Sequence, residues 1–230
     1  MVWGVEKEFT SIVVNGLRVD EPVAVVTDFI VSLVCIYCYY KLGKLSNKTI
    51  VTQLYRYYFL FMGIGTCLGA IVGHAFLYAL NPNFRLPGWI FGMLSITLFE
   101  RAAIFHAKPI IKPIYGKIFS VVNLTELVTF ICLASYYLIF KFVIIHAVYG
   151  MVGVVLLFEG FVYIKTKDKG SKIILQAILV ATVAFFLDLF KFSFCKWFNY
   201  FDMGHCIIAI SAYIFYIGIK NTKVHPKKYN

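Results

Sequence analysis

The sequence predicts an all-α polytopic membrane protein, a seven-transmembrane-helix bundle with its N-terminus outside and its C-terminus in the cytoplasm. Three observations carry this. Hydrophobic residues make up 61% of the 230 positions and charged residues only 14%, against about 45–50% and about 25% in soluble domains. The apolar residues fall into seven stretches, each near the roughly 20 residues that cross a bilayer. Lysine and arginine concentrate in alternate connections, the asymmetry that sets membrane orientation.

An extracytoplasmic segment, residues 1–21, precedes the bundle. The spans run over residues 22–40, 55–80, 87–106, 117–137, 142–164, 171–192 and 202–219, which together form one transmembrane domain over 22–219. A basic cytoplasmic tail covers 220–230. No charged n-region, short apolar run and cleavage site opens the chain, so the first span reads as a retained helix. Asn81-Pro82-Asn83 ends the second span and Pro87-Gly88 opens the third, as turn-forming residues should. Pro109 and Pro113 mark the next connection, and Lys165 to Gly170 the one after the fifth span. Only a short stretch around Tyr136 to Lys141 separates the fourth and fifth spans.

Four inner stretches each hold four basic residues: Lys41, Lys44, Lys48 and Arg56; Arg101, Lys108, Lys112 and Lys117; Lys165, Lys167, Lys169 and Lys172; Lys220, Lys223, Lys227 and Lys228. The opposite side holds Lys7, Arg18, Arg85, Lys141, Lys191 and Lys196. The basic side is the cytoplasm, and an odd number of spans follows. Because these charges sit in short loops between apolar spans, the net charge of +11 does not indicate nucleic acid. The membrane is a bacterial inner membrane or a eukaryotic endomembrane. Cys35 and Cys38 form a C-x-x-C inside a span with no second pair nearby, which favours small core residues over a metal or redox pair. Asn47-Lys48-Thr49 and Asn123-Leu124-Thr125 match the glycosylation acceptor pattern, yet one is expected in the cytoplasm and the other inside a span.

Ionisable groups at membrane depth are costly and tend to face the bundle interior or a wet cavity. Asp20 and Glu21 stand at the outer mouth of the first span, and Asp28 lies about 10 Å further in at 1.5 Å per residue. His74 comes late in the second span, His146 early in the fifth, Asp188 late in the sixth, and Asp202 and His205 open the seventh. With antiparallel spans, all of these fall in the outer half and can line one cavity. Asp202 and His205 are three apart on one helix face. With His74 they supply two imidazoles and a carboxylate, a metal-ligand set with positions left for water. The alternative is that His74 and His205 bond to backbone carbonyls or nearby carboxylates. A second set, Glu100 with Arg101, Asn123, Glu126 and Glu159, lies toward the cytoplasm and reads as an internal polar network or a proton path. His146 reads as a satisfied interior histidine, while His106 and His225 read as solvated cytoplasmic residues.

Gly73-His74 at the end of the second span, and Gly204-His205 followed by Ile210-Ser211-Ala212-Tyr213 in the seventh, resemble the CREST superfamily, which includes alkaline ceramidases and adiponectin-receptor-like proteins. Members of that superfamily are seven-helix membrane proteins, mostly zinc-dependent amide hydrolases acting on lipids. The resemblance implies zinc at His74 and His205, and calcium near Asp20 and Glu21, where alkaline ceramidases carry an acidic segment. The match is partial. Phe201 stands where the family has another histidine, with Asp202 one position on; Ala70 stands where it has a serine; and no carboxylate occupies Pro87 to Leu98.

The leading expectation is therefore a ceramidase-like, metal-dependent membrane hydrolase with an outer-half cavity. It would cleave a lipid amide or ester by a zinc-activated water, the metal being held by His74, Asp202 and His205, with Asp28 or Asp188 as general base or ligand-orienting group. Two alternatives stand beside it. One is a proton-coupled small-solute transporter using Glu100, Glu126 and Glu159 with Asp28 and Asp188. The other is a non-catalytic structural or receptor-like membrane subunit. A retinal-binding protein is disfavoured, because the seventh span has no mid-membrane lysine for a Schiff base.

Overall fold

The computed structural model describes residues 10–46 and 49–223. Asn47 and Lys48 of the first acceptor sequence, His225 and most of the basic tail lie outside the described residues. Among the described residues, seven helices are long and apolar enough to cross a membrane: α1 Pro22–Gly43, α2 Ile50–Ala75, α3 Pro82–Ile110, α4 Pro113–Tyr137, α5 Lys141–Thr166, α6 Lys169–Phe190 and α7 Tyr200–Lys220. Their boundaries follow from local chemistry. Pro22 fits the first turn of α1, where a missing N–H costs nothing. The Thr49 side chain caps α2 by accepting from the Thr52 amide at 3.1 Å, so α2 begins five residues before the expected 55. Asp168 caps α6 through the Ser171 amide at 2.8 Å. The short break between α4 and α5 is real: Leu138 takes a left-handed conformation and closes α4 on Ala134.

Two departures from regular α-helix matter. α2 ends in a π-helical stretch, Gly69–Ala75, and α5 carries another, Tyr149–Val155. Such widened turns are rare and cluster at functional positions.

The segment before α1 is more than a tail. Strand β1, Ser11–Val14, pairs antiparallel with β2, Leu17–Asp20. Asn15 and Gly16 both take positive φ between them, the two-residue hairpin turn that Asn-Gly favours. The hairpin lies at the end of the bundle where α1 begins, with the Arg18 guanidinium 5.3 Å from the Tyr78 ring beyond α2.

α1 packs against α2 and α7, α2 against α3, α3 against α5, α5 against α6, and α6 against α7, closing a ring; α4 sits outside it against α3 and α5. Apolar side chains cover the outside as well as the inside, with Leu33, Val26 and Leu179 more than half exposed, as lipid-facing helices require. Edge-to-face aromatic contacts among Tyr55, Tyr58, Phe99 and Phe215 fill the centre. Buried hydroxyls fasten helices together: Ser32 donates to the Gly63 carbonyl at 2.7 Å and Ser211 to the Ala177 carbonyl at 2.9 Å.

Away from the hairpin, Glu159 of α5 gathers three neighbouring helices. It accepts from Tyr55 at 2.6 Å and Ser171 at 2.5 Å and pairs with His106 Nδ1 at 3.0 Å. His106 is thus a buried member of this network and not the solvated residue expected from its place near the end of α3. Its other nitrogen meets the Lys223 carbonyl at 3.1 Å, and Asp168 accepts from the Lys223 amide at 3.0 Å. The start of the C-terminal tail is held against the bundle by these two contacts.

Candidate metal centre

At the hairpin end, three side chains from three helices converge. Asp28 of α1, His74 of α2 and His205 of α7 each place one ligand atom within 4.8 Å of the other two. The Asp28 carboxylate lies between the imidazoles, with Oδ2 3.6 Å from His74 Nε2 and Oδ1 3.5 Å from His205 Nε2. These separations are too long for hydrogen bonds. They are close to the edge of about 3.3–3.4 Å that separates ligands on a tetrahedral zinc with bonds of about 2.0–2.1 Å.

The outer nitrogens of both rings are pinned. His74 Nδ1 lies 2.8 Å from Glu21 Oε2, and His205 Nδ1 lies 3.0 Å from Thr27 Oγ1. Thr27 donates back to the Val23 and Ala24 carbonyls at 3.0 and 3.1 Å. Fixing Nδ1 turns Nε2 toward Asp28, the arrangement by which second partners orient metal-binding histidines. The rings stand edge to face, with centroids 5.8 Å apart. Asp28 is buried at 5% exposure, whereas the His74 and His205 side chains are 18% and 17% exposed, which leaves room for a further ligand.

Local backbone builds this arrangement. His74 lies in the π-helical end of α2. Gly69, at the start of that stretch, has no Cβ; one placed there would stand 2.9 Å from Asp28 Oδ2, so glycine is what lets the carboxylate reach in. Glu21 holds a left-handed conformation, φ 42°, directly before Pro22, and its amide donates to the Thr10 carbonyl at 2.7 Å. A non-glycine residue there costs about 1–2 kcal/mol. That strain at the hairpin–α1 junction aims Glu21 at His74. A cavity of about 210 Å³, bordered by Thr10, Glu21, Ser193, Lys196 and Asn199, opens beside it.

The residues expected from sequence divide here. His74 and His205 come together. Asp28, expected as a base, is the third member of the cluster. Asp202, expected as a ligand, is engaged in the capping box of α7: its Oδ2 accepts the Asn199 amide at 2.7 Å, and Asn199 caps in return. Asp202 lies outside the three-residue cluster. Asp188 pairs with Lys191 at 2.8 Å on the partly exposed end of α6, also outside the cluster. Of the two carboxylates expected near calcium, Asp20 is bonded to Arg18 at 2.7 Å and Glu21 to His74. Sequence reasoning did not single out Thr27, Gly69 or the Glu21–His74 contact. Glu21 and Asp28 are seven residues apart, two helical turns, and that spacing was the available signal.

His146 belongs elsewhere. Its Nδ1 meets Glu126 Oε1 at 2.6 Å and its Nε2 the Met93 carbonyl at 3.0 Å. It is a satisfied interior histidine, in a second polar cluster with Glu100 and Glu126. Asn123 joins that cluster, donating to Glu100 Oε2 at 3.2 Å, and is itself buried.

A family model described as a family of unknown function, DUF6962, matches residues 23–224. No curated protein and no solved structure matches the chain.

Proposed function

The chain belongs to the DUF6962 family of unknown function, and for this member we propose a metal-dependent membrane hydrolase of ceramidase-like type that cleaves an amide or ester bond of a membrane lipid. The observation that carries the reading is the convergence of His74 Nε2, His205 Nε2 and the Asp28 carboxylate with both Nδ1 atoms already held. Two imidazoles and one carboxylate are the donor set of catalytic zinc sites that keep a position open. When bound, zinc supplies Lewis acidity and a water acidified to near neutral pH.

The protein's own part is orientation and enclosure. Glu21 and Thr27 fix the two rings, Asp28 supplies the anionic ligand, and the cavity that Glu21 borders lies at the same hairpin end. The Lys and Arg asymmetry supports an orientation with that end, and the N-terminus, outside the cytoplasm. The partial resemblance to the CREST superfamily, through Gly73-His74 and Gly204-His205, supports the same reaction class. With Asp28 in place of the second helix-seven histidine, the proposed centre differs from that superfamily's.

Two observations weigh against the transporter alternative. Glu159 is saturated by Tyr55, His106 and Ser171, and Asp188 is tied to Lys191 at the surface. Among the described residues, no hydrogen bond or ion pair joins Glu159 or Asp188 to Glu100, Glu126 or Asp28.

The test is metal content by inductively coupled plasma mass spectrometry after chelator-free purification in mild detergent. Near one zinc per chain is expected for the wild type and little for His74→Ala/His205→Ala. Hydrolysis of ceramides and related lipid amides or esters should follow the zinc. No metal in either protein, with zinc supplied during growth, would overturn the reading.

A further inference from the structure

The Glu100–Glu126–His146 cluster is separate from the metal centre and has a different charge balance. His146 is fully buried. Its Nε2 faces the Met93 carbonyl, which only accepts, so Nε2 carries a hydrogen. The 2.6 Å contact between Nδ1 and Glu126 Oε1 needs one more proton between them. His146 and Glu126 together are then neutral, whichever atom the shared proton sits on. Glu100 adds one negative charge, and among the described residues no lysine or arginine pairs with either carboxylate. With Glu100 ionised, the cluster is one positive charge short.

Three buried oxygens in and beside the cluster are free to take a cation. Glu100 Oε1, Glu126 Oε2 and Asn123 Oδ1 are buried and have no hydrogen-bond partner. Glu100 and Asn123 are 0% and 1% exposed. The Asn123 amide holds Glu100 Oε2 at 3.2 Å, which leaves Oε1 directed at the π-helical stretch of α5. There Gly150 makes the space: a Cβ at that position would stand 2.5 Å from Glu100 Oε1. Buried acceptors without donors are costly in an apolar bundle, and intramembrane carboxylates usually mark a ligand.

We propose that Glu100, Glu126 and Asn123 form a binding site for a single sodium ion between α3, α4 and the π-helical turn of α5. A hard monovalent cation takes oxygen ligands and supplies the missing charge. A divalent transition metal fits poorly, because His146 has no nitrogen to spare. A proton is the competing occupant: on Glu100 Oε1 it would donate to one neighbouring oxygen and still leave one of the three acceptors bare, whereas a cation can be shared by all three. The site stands on its own observations and does not depend on the hydrolase reading.

The experiment is binding of radioactive sodium-22 to the purified wild-type chain in detergent, read by scintillation proximity after metal stripping with EDTA. Saturable binding near one ion per chain is expected, displaced by unlabelled sodium chloride. Glu100→Gln should weaken it at least tenfold, and Gly150→Ala should weaken it by crowding the same oxygen. The wild type should also unfold at a higher temperature in sodium chloride than in N-methylglucamine chloride of equal ionic strength, a comparison that needs no variant. Absence of saturable binding to the folded wild type would overturn the proposal. Binding undiminished in both variants would overturn its location.

Discussion

Glu21 Oε2 lies 2.8 Å from His74 Nδ1, which joins the last residue before α1 to the π-helical end of α2. The contact sets the direction of the His74 ring and makes Nε2 the nitrogen that faces Asp28. Removing such a partner typically costs 10–100-fold in metal affinity. Glu21→Gln is expected to weaken zinc binding by about that factor, while the folded chain still elutes as a single species. Competition against a zinc-chelating dye measures it. Unchanged affinity would mean that the His74 ring is fixed by packing alone.

On the proposed reading Asp28, and not Asp202, completes the set with the two histidines, and the two substitutions should separate cleanly. Asp28→Asn removes the anionic ligand and is expected to abolish zinc retention through gel filtration. Asp202→Ala removes one side of the α7 capping box. Its cost is about 1 kcal/mol of stability, seen as an earlier thermal transition at near wild-type zinc content. Loss of zinc in Asp202→Ala, with retention in Asp28→Asn, would restore the spacing-based assignment.

Gly69 offers a test from the backbone side. A Cβ there would meet Asp28 Oδ2 at 2.9 Å, and the carboxylate would have to move off the line between the two histidines. Gly69→Ala should therefore cut zinc affinity at least tenfold, with destabilisation of about 1–3 kcal/mol from overpacking. Gly73, in the same π-helical stretch, has nothing within 4 Å of its Cβ position. Gly73→Ala should leave zinc binding close to wild type and serves as the control.

Composition and periodicity made the seven helices legible, because twenty-residue apolar stretches and Pro-, Gly- and Asn-marked breaks are properties of the chain itself. The fold's finer parts were less accessible. The α2 start depends on Thr49 capping Thr52, a signal that an apolar window overlooks. The hairpin was written in Asn15-Gly16, between the Ser11–Val14 and Leu17–Asp20 strands, but it lies where a tail was expected. At the site, His74 and His205 were legible because histidines late in one helix and early in another share a depth. Which carboxylate lies beside them was not, because depth leaves rotation about the helix axis undetermined. The π-helical turn that rotates His74 has no simple sequence signature. His106 was misread for a related reason: its place near a helix end suggested solvent, while the burial of Glu159 requires a donor from α3.

The Glu159 network gives the last prediction, and it concerns stability. Tyr55, His106 and Ser171 all direct polar atoms at one fully buried carboxylate, and His106 in turn meets the Lys223 carbonyl. Removing one partner leaves buried polar atoms unsatisfied at about 1–3 kcal/mol each. Tyr55→Phe deletes a single donor and belongs at the low end of that range. Glu159→Leu deletes the shared acceptor and strands three donors, so it should lower the unfolding temperature far more than Tyr55→Phe. Because His106 holds the start of the tail, Glu159→Leu should also speed trypsin cleavage at Lys220 and Lys223 under native conditions. Tyr55→Phe should leave that rate nearly unchanged. Equal cleavage rates in all three proteins would show that the tail is held through Asp168 and the Lys223 amide, independently of His106.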